Sequence, residues 1–227
     1  MIWRGTHLRP SSQGPEQASG AAGGTSNSSS STSTDVAAFK SQLRRHLRIA
    51  RGAIPASDAR RAARRAALHL LRSGRLDRAR CVAVYLATGS ELDTAPLIRA
   101  LHRARKRVLV PTVDPARAGT MHLVRLAPDS PLRRRRFGIG EPVDRRRLPF
   151  VRVDVMVLPL RGFDRHGTRL GSGAGYYDRW LARAAFRPYC VGYAFAQQEV
   201  PELPREAHDQ RLDAICTERG LRRVAAR

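Results

Sequence analysis

The sequence predicts an α/β fold, a three-layer single domain with a mostly parallel central sheet and helices on both faces, preceded by a disordered N-terminal tail. Three observations predict it. Short apolar runs such as Cys81–Ala87 and Val153–Leu158 lack the alternation of a half-exposed strand, so they read as strands covered on both faces. Segments with apolar residues at helical spacing stand between these runs. The connections are of ordinary length, and no internal repeat marks a second unit. A chain of 227 residues is long enough for one domain with a sizeable core.

Taken in order, residues 1–34 are mostly Ser, Thr, Gly, Ala and Gln and cannot bury enough surface to offset the entropy of ordering. They read as a low-complexity tail. Met1-Ile2-Trp3-Arg4 is too short an apolar start for a secretory signal, so a cytoplasmic protein is expected. The domain is placed at 35–220, with 221–227 as a basic C-terminal end. Asp35 is the expected N-cap of a first helix, whose core face carries Phe39, Leu43, Leu47 and Ala50. Lys40 and Arg44, four apart, are neighbours on another face of it. Ser57, with Asp58 behind it, is the expected N-cap of a second helix that runs to Arg72.

The strand at Cys81–Ala87 leads into the polar loop Thr88-Gly89-Ser90-Glu91-Leu92-Asp93-Thr94 and then a helix over 96–105. Such a loop lies at the carboxyl edge of a sheet, where α/β folds bind ligands. Glu91 and Asp93 also fit as acids that complement the dipole of the following helix. Strands are expected at 107–111 and 121–126, the second in a more exposed style. After the strand at 153–158 comes a turn with Gly171, Gly173 and Gly175, then a helix marked by Tyr177, Trp180, Leu181 and Ala184. A strand at 190–195 and a last one ending at Thr217 complete the domain.

The formal net charge is +23, and among the basic residues only Lys40 and Lys106 are lysines. Such a field attracts anions, whether nucleic acid, acidic lipid or small polyanions. Arginine used wherever a solvated cation suffices accounts for the same excess. The runs Arg133–Arg136 and Arg145–Arg147 have no interleaved aromatic platform for stacking bases. No apolar run reaches membrane length. Cys81, Cys190 and Cys216 lie in apolar strand-like segments without zinc-type spacing, and read as core thiols.

Glycines between a strand and a helix allow positive φ and let a ligand approach the peptide N–H groups, an arrangement suited to phosphate. The spacing Gly-Xaa-Gly-Xaa-Gly matches neither the dinucleotide fingerprint nor the Walker A loop. The longer string does have a resemblance. Leu158-Pro159-Leu160-Arg161-Gly162-Phe163-Asp164, continued by Gly167-Thr168-Arg169-Leu170-Gly171-Ser172-Gly173-Ala174-Gly175-Tyr176-Tyr177-Asp178, resembles the signature of the 5-formyltetrahydrofolate cyclo-ligase family. Gly138-Ile139-Gly140-Glu141-Pro142, Gln197-Gln198 and His208-Asp209 resemble further family segments, and the likeness covers roughly residues 38–218.

The resemblance implies an ATP- and Mg²⁺-dependent ligase that cyclises 5-formyltetrahydrofolate, in simple or polyglutamylated form, to 5,10-methenyltetrahydrofolate, with a monomeric protein expected. It implies a catalytic set of Lys40, Arg169 and Tyr176. ATP would lie against Lys40, Arg44, Arg169, Leu170, Gly171, Ser172, Gly173, Ala174, Gly175, Tyr176 and Tyr177. The folate would meet Leu86, Glu91 and the 172–176 turn, and Asp178 and Asp209 would hold the metal. His208 is read as structural, because adjacent residues on an extended chain point oppositely. Ser172 stands where the family usually has a basic residue, and Arg161 or Arg179 could supply that charge. The alternative is a basic nucleic-acid-binding protein on the same scaffold with catalysis lost; no nucleic-acid-binding motif supports it.

Overall fold

The computed structural model describes residues 28–225, apart from positions 115, 118, 135–137, 139, 145 and 147–151. The part of the expected tail at 1–27, and Arg135, Arg136, Arg145 and Arg147 of the two arginine runs, lie outside the described residues. At the centre is a seven-stranded sheet. In chain order its strands are β1 (Cys81–Val84), β2 (Arg107–Val113), β3 (Met121–Arg125), β6 (Val155–Leu158), β9 (Tyr189–Tyr193), β10 (Ala214–Thr217) and β11 (Gly220–Arg223). Between them, β4 (Leu132–Arg134) pairs with β5 (Gly140–Pro142), and β7 (Gly162–Phe163) with β8 (Arg169–Leu170), as two small antiparallel ladders. The spatial order of the sheet is β11-β10-β9-β6-β1-β2-β3. Its five central strands are parallel, and β3 and β11 flank them antiparallel.

Both faces are covered, which is why the central strands read as unbroken apolar runs. Alternate residues of each strand enter two separate clusters. Val82, Val84, Val108, Val110, Val155, Val157 and Val191 pack with α2 (Ala56–Arg72) and α3 (Ala95–Arg103). Cys81, Ala83, Leu109, Met156, Leu158 and Cys190 face the other way, against Leu181, Tyr177 and Trp180 of α4 (Tyr176–Arg183). The core-facing side of α2 is almost all alanine, with Ala63, Ala66 and Ala67 buried, so the helix can lie close to the sheet. A third, smaller cluster seats α1 (Ser28–Gly52) through Leu47 on Leu170 and Leu203.

Several expected boundaries move. The first helix starts at Ser28, not at Asp35, which lies inside it. Once its docked turns are formed, each added residue costs little, so the helix continues upstream past the candidate cap. Phe39, expected on the core face, is exposed. The second helix starts at Ala56 behind Pro55, so Ser57 is a helical residue and not the cap. The first strand ends at Val84, three residues short of the apolar run. Tyr85 instead turns inward, its hydroxyl donating to the Leu92 carbonyl, while Thr94 Oγ1 donates to the Tyr85 carbonyl. The last strand is not the one at Thr217. Gly220–Arg223, expected as the start of a basic tail, folds back as edge strand β11. Two arginines on an edge carry no hydrophobic pattern, and they blunt that edge against further pairing.

The three cysteines are free and buried, and burial raises the thiols of Cys81 and Cys190 to about 11 and that of Cys216 to about 12. All three should therefore be inert to an aromatic disulfide reagent at pH 8 in the native protein. All three should react in denaturant, with the released thiolate counted by absorbance.

Candidate active site

The strand order fixes where ligands can go. From β1 the chain proceeds to β2 on one side, and from β6 to β9 and β10 on the other. The loops leaving the carboxyl ends of β1 and β6 therefore diverge, and a crevice opens between them. The loop after β1 carries Glu91, and the segment after β6 carries Pro159, Leu160 and Arg161. All four line one cavity of about 210 Å³.

The glycine turn closes a second wall. Gly173 and Gly175 have φ of +101° and +64°, and Gly175 is the N-cap of α4. The positive φ is what requires glycine at 175; a Cβ there would also come within 2.7 Å of the Arg179 guanidinium, the movable end of a flexible side chain. Arg179 fixes the turn from outside: its Nε donates to the Gly119 carbonyl at 3.0 Å and its Nη2 to the Ala174 carbonyl at 2.5 Å. Its guanidinium lies 5.6 Å from the centre of the Tyr176 ring.

Helix α1 supplies the third wall. Arg44 Nε donates to the Gly171 carbonyl at 2.9 Å, which ties the helix to the glycine turn. The Lys40 ammonium is buried between two carboxylates, 2.6 Å from Glu206 Oε2 and 3.0 Å from Asp209 Oδ2. Burial alone would lower the Lys40 pKa, but the bonds from Glu206 and Asp209 outweigh it and hold it above the usual ammonium range. The Asp209 carboxyl is held below its usual range. There, too, burial acts in the opposite direction, and the Glu206 N–H and Lys40 prevail. Arg169, nearly inaccessible, pairs with Asp178 at 2.6 Å, while its Nε stays buried without a hydrogen-bond partner among the described residues. Asp178 Oδ1 also accepts the Gln210 N–H at 3.1 Å.

Most of the expected site residues thus meet in one place. Lys40, Arg44, Glu91, Arg169, Leu170, Gly171, Ser172, Gly173, Gly175, Tyr176, Tyr177, Asp178 and Asp209 all line the cavity. Leu86 and Ala174 do not: Leu86 packs against the α2–α3 core, and Ala174 offers its carbonyl to Arg179. The expected opposition of His208 and Asp209 also fails. A turn at 207–208 replaces the extended chain, and His208 Nε2 lies 3.7 Å from Asp209 Oδ1. The sequence reading missed Glu206 and did not place His208 or Leu160 in the cavity. Glu206 sits in an irregular loop without periodicity, and nothing local marks it.

The donor chemistry suits a hard cation. Carboxylate oxygens of Asp178, Asp209 and Glu206 face the cavity, and no thiolate does. Glu206, His208 and Asp209 bring their ligand atoms within 4.8 Å of one another, and a cation, the Lys40 ammonium, already bridges two of them.

Comparison with known proteins matches this fold and site to one family. The model of the 5-formyltetrahydrofolate cyclo-ligase family matches residues 36–218. The 5-formyltetrahydrofolate cyclo-ligase of Escherichia coli K12 is 44% identical over 142 residues, 61% of this chain and 78% of that one. The Haemophilus influenzae enzyme of the same name is 32% identical over 173 residues, covering 75% and 92%. The solved structure of Aquifex aeolicus 5,10-methenyltetrahydrofolate synthetase superposes with a TM-score of 0.72 at 32% identity, over 83% of this chain and 94% of that one. The chain belongs to the 5-formyltetrahydrofolate cyclo-ligase family, a family of enzymes.

The Arg169–Asp178 pair makes Asp178 a structural as well as a cavity-facing residue. Asp178→Asn removes the counter-charge of a buried guanidinium, at a cost of about 1.5–3 kcal/mol. A melting temperature lower by roughly 3–10 °C is expected in calorimetry, together with loss of ligand-dependent turnover. An unchanged melting temperature would show that the pair adds nothing to stability.

Proposed function

We propose that the protein cyclises 5-formyltetrahydrofolate to 5,10-methenyltetrahydrofolate at this cavity, with ATP and Mg²⁺, releasing ADP and phosphate. The observation that carries the reading is the convergence of Lys40, Arg44, the glycine turn and Glu91 on one cavity. Cations and backbone N–H groups suit phosphates, and a carboxylate in the same cavity suits the N–H donors of a reduced pterin.

The chemistry explains why such a site is needed. The formyl carbon is a weak electrophile and its oxygen a poor leaving group. In the proposed sequence that oxygen attacks the γ-phosphorus, and the bond to the β–γ bridging oxygen breaks with its electron pair leaving on ADP. N10 then attacks the activated carbon and gives up its proton, and the C–O bond breaks toward phosphate. Positioning and charge neutralisation are the protein's part. Arg44 is already oriented by Gly171, and Arg169 by Asp178. Tyr176 lines the cavity directly after the glycine turn. Burial, with the Glu91 charge nearby, keeps the Tyr177 phenol protonated. Asp178 and Asp209, with Glu206 beside them, are the residues that would hold Mg²⁺. Bound there, Mg²⁺ would neutralise phosphate charge.

The test follows methenyl-folate formation by its absorbance, with and without ATP. ATP-dependent turnover is expected. Its absence together with tight, salt-sensitive RNA binding would instead identify a basic nucleic-acid-binding protein. Lys40→Ala removes a charge-assisted hydrogen bond worth about 1.5–3 kcal/mol, so roughly ten- to hundred-fold should be lost in ATP affinity or turnover. Arg64→Ala, on the exposed face of α2, removes the same formal charge and should leave turnover within about twofold. Equal losses would assign the effect to overall charge and remove Lys40 from the site.

A further inference from the structure

Four cations and four carboxylates line the cavity: Lys40, Arg44, Arg161 and Arg169 against Glu91, Asp178, Glu206 and Asp209. Lys40 is paired with two of the acids and Arg169 with a third. Arg44 bonds a backbone carbonyl. The Arg161 guanidinium has no carboxylate within ion-pair distance and no hydrogen-bond acceptor among the described residues, although the residue is only half-exposed.

Its backbone, by contrast, is held on both sides. The Arg161 N–H donates to the Leu170 carbonyl at 2.7 Å, and the Arg161 carbonyl accepts Gln198 Nε2 at 2.9 Å. Gln198, buried and also bonded to Leu160 and Phe195, is itself immobile. Behind Arg161 is a second guanidinium, that of Arg51. It is buried, and Ser90 is its hydrogen-bond partner. Desolvation and then the charge of Arg161 lower the Arg51 pKa, which registers the repulsion between the two. Glu91 acts in the opposite direction but does not outweigh them, so the two like charges are not fully compensated within the protein, and an anion joining them would be favourable.

We propose that Arg161 is a phosphate-binding residue of this cavity, receiving the terminal phosphoryl group of the nucleotide as it passes to the formyl oxygen. The assignment rests on the cyclo-ligase reading above. The hydrogen bond to Leu170 sets the Arg161 backbone beside the strand that opens the glycine turn, and its side chain lines the same cavity as Gly171, Ser172 and Gly173. Arg179 does not fill this role: it is spent on the Gly119 and Ala174 carbonyls and does not line the cavity. The cation missing at Ser172 is thus supplied from the segment after β6.

The test compares the full chain with Arg161→Gln, Arg161→Lys and Arg64→Gln. It uses calorimetric binding of inorganic phosphate, steady-state kinetics and melting temperature. Arg161→Gln should weaken phosphate binding about tenfold or more and lower kcat by a similar factor. Folate affinity should stay within about twofold and the melting temperature should be unchanged or higher. Arg161→Lys should recover part of the phosphate affinity, and Arg64→Gln should behave as wild type. The proposal is overturned if Arg161→Gln keeps phosphate binding and kcat, if it weakens folate binding instead, if Arg64→Gln is equally damaged, or if the wild type does not bind phosphate. Loss of ATP-dependent turnover in the wild type with phosphate binding at Arg161 intact would fault the cyclo-ligase reading and leave an anion site.

Discussion

The parallel pairing of β1 with β6 is the constraint on which the rest of the molecule depends. Val82, Ala83 and Val84 lie beside Val155, Met156 and Val157, two strands far apart in sequence joined at the centre of the sheet. Asp154 closes the start of this pairing: its Oδ2 accepts the N–H groups of Arg80 and Cys81, and its backbone N–H donates to the Cys81 carbonyl. Because the chain then leaves β1 and β6 in opposite directions, no crossover passes over their carboxyl ends. The cavity is a product of topology before any particular side chain shapes it.

Within that opening the balance of charge is uneven by design of the loops. Lys40 is paired with Glu206 and Asp209, and Arg169 with Asp178, so these ion pairs tie separate segments of the chain together around the cavity. Arg44 and Arg161 have no carboxylate partner among the described residues, and Glu91 accepts the Thr88 N–H and hydroxyl. The strong net positive charge of the chain says little about this division. It is a difference between which cations are matched and which are not, and only local geometry determines it.

Much of the fold was legible in the sequence. Buried strands such as 155–158 declare themselves because both faces of a parallel sheet are apolar, and helices α2 and α3 because their periodicity is strong. The glycine turn could be read because positive φ and close approach restrict residue type. Where the reading failed, long-range packing had overruled a local rule. Asp35 and Ser57 are good caps in isolation, but the docked faces of α1 and α2 set the helix starts. Strand β11 is polar and held by backbone pairing alone. Glu206 enters the site through tertiary position, which no spacing encodes, whereas Lys40, Arg44, Glu91, Asp178 and Asp209 were found through the family likeness, and Arg161 was named only as one of two arginines that could replace the charge absent at Ser172.

The bridge from Lys40 to Glu206 joins residues 166 positions apart. A chain made from its N-terminus acquires helix α1 early, but the counter-charges for its one buried ammonium come almost last. Until residues 206–209 have emerged, seating α1 would bury a lone cation, which is strongly unfavourable. Helix α1 is therefore expected to be fixed in place late, after most of the sheet has been made.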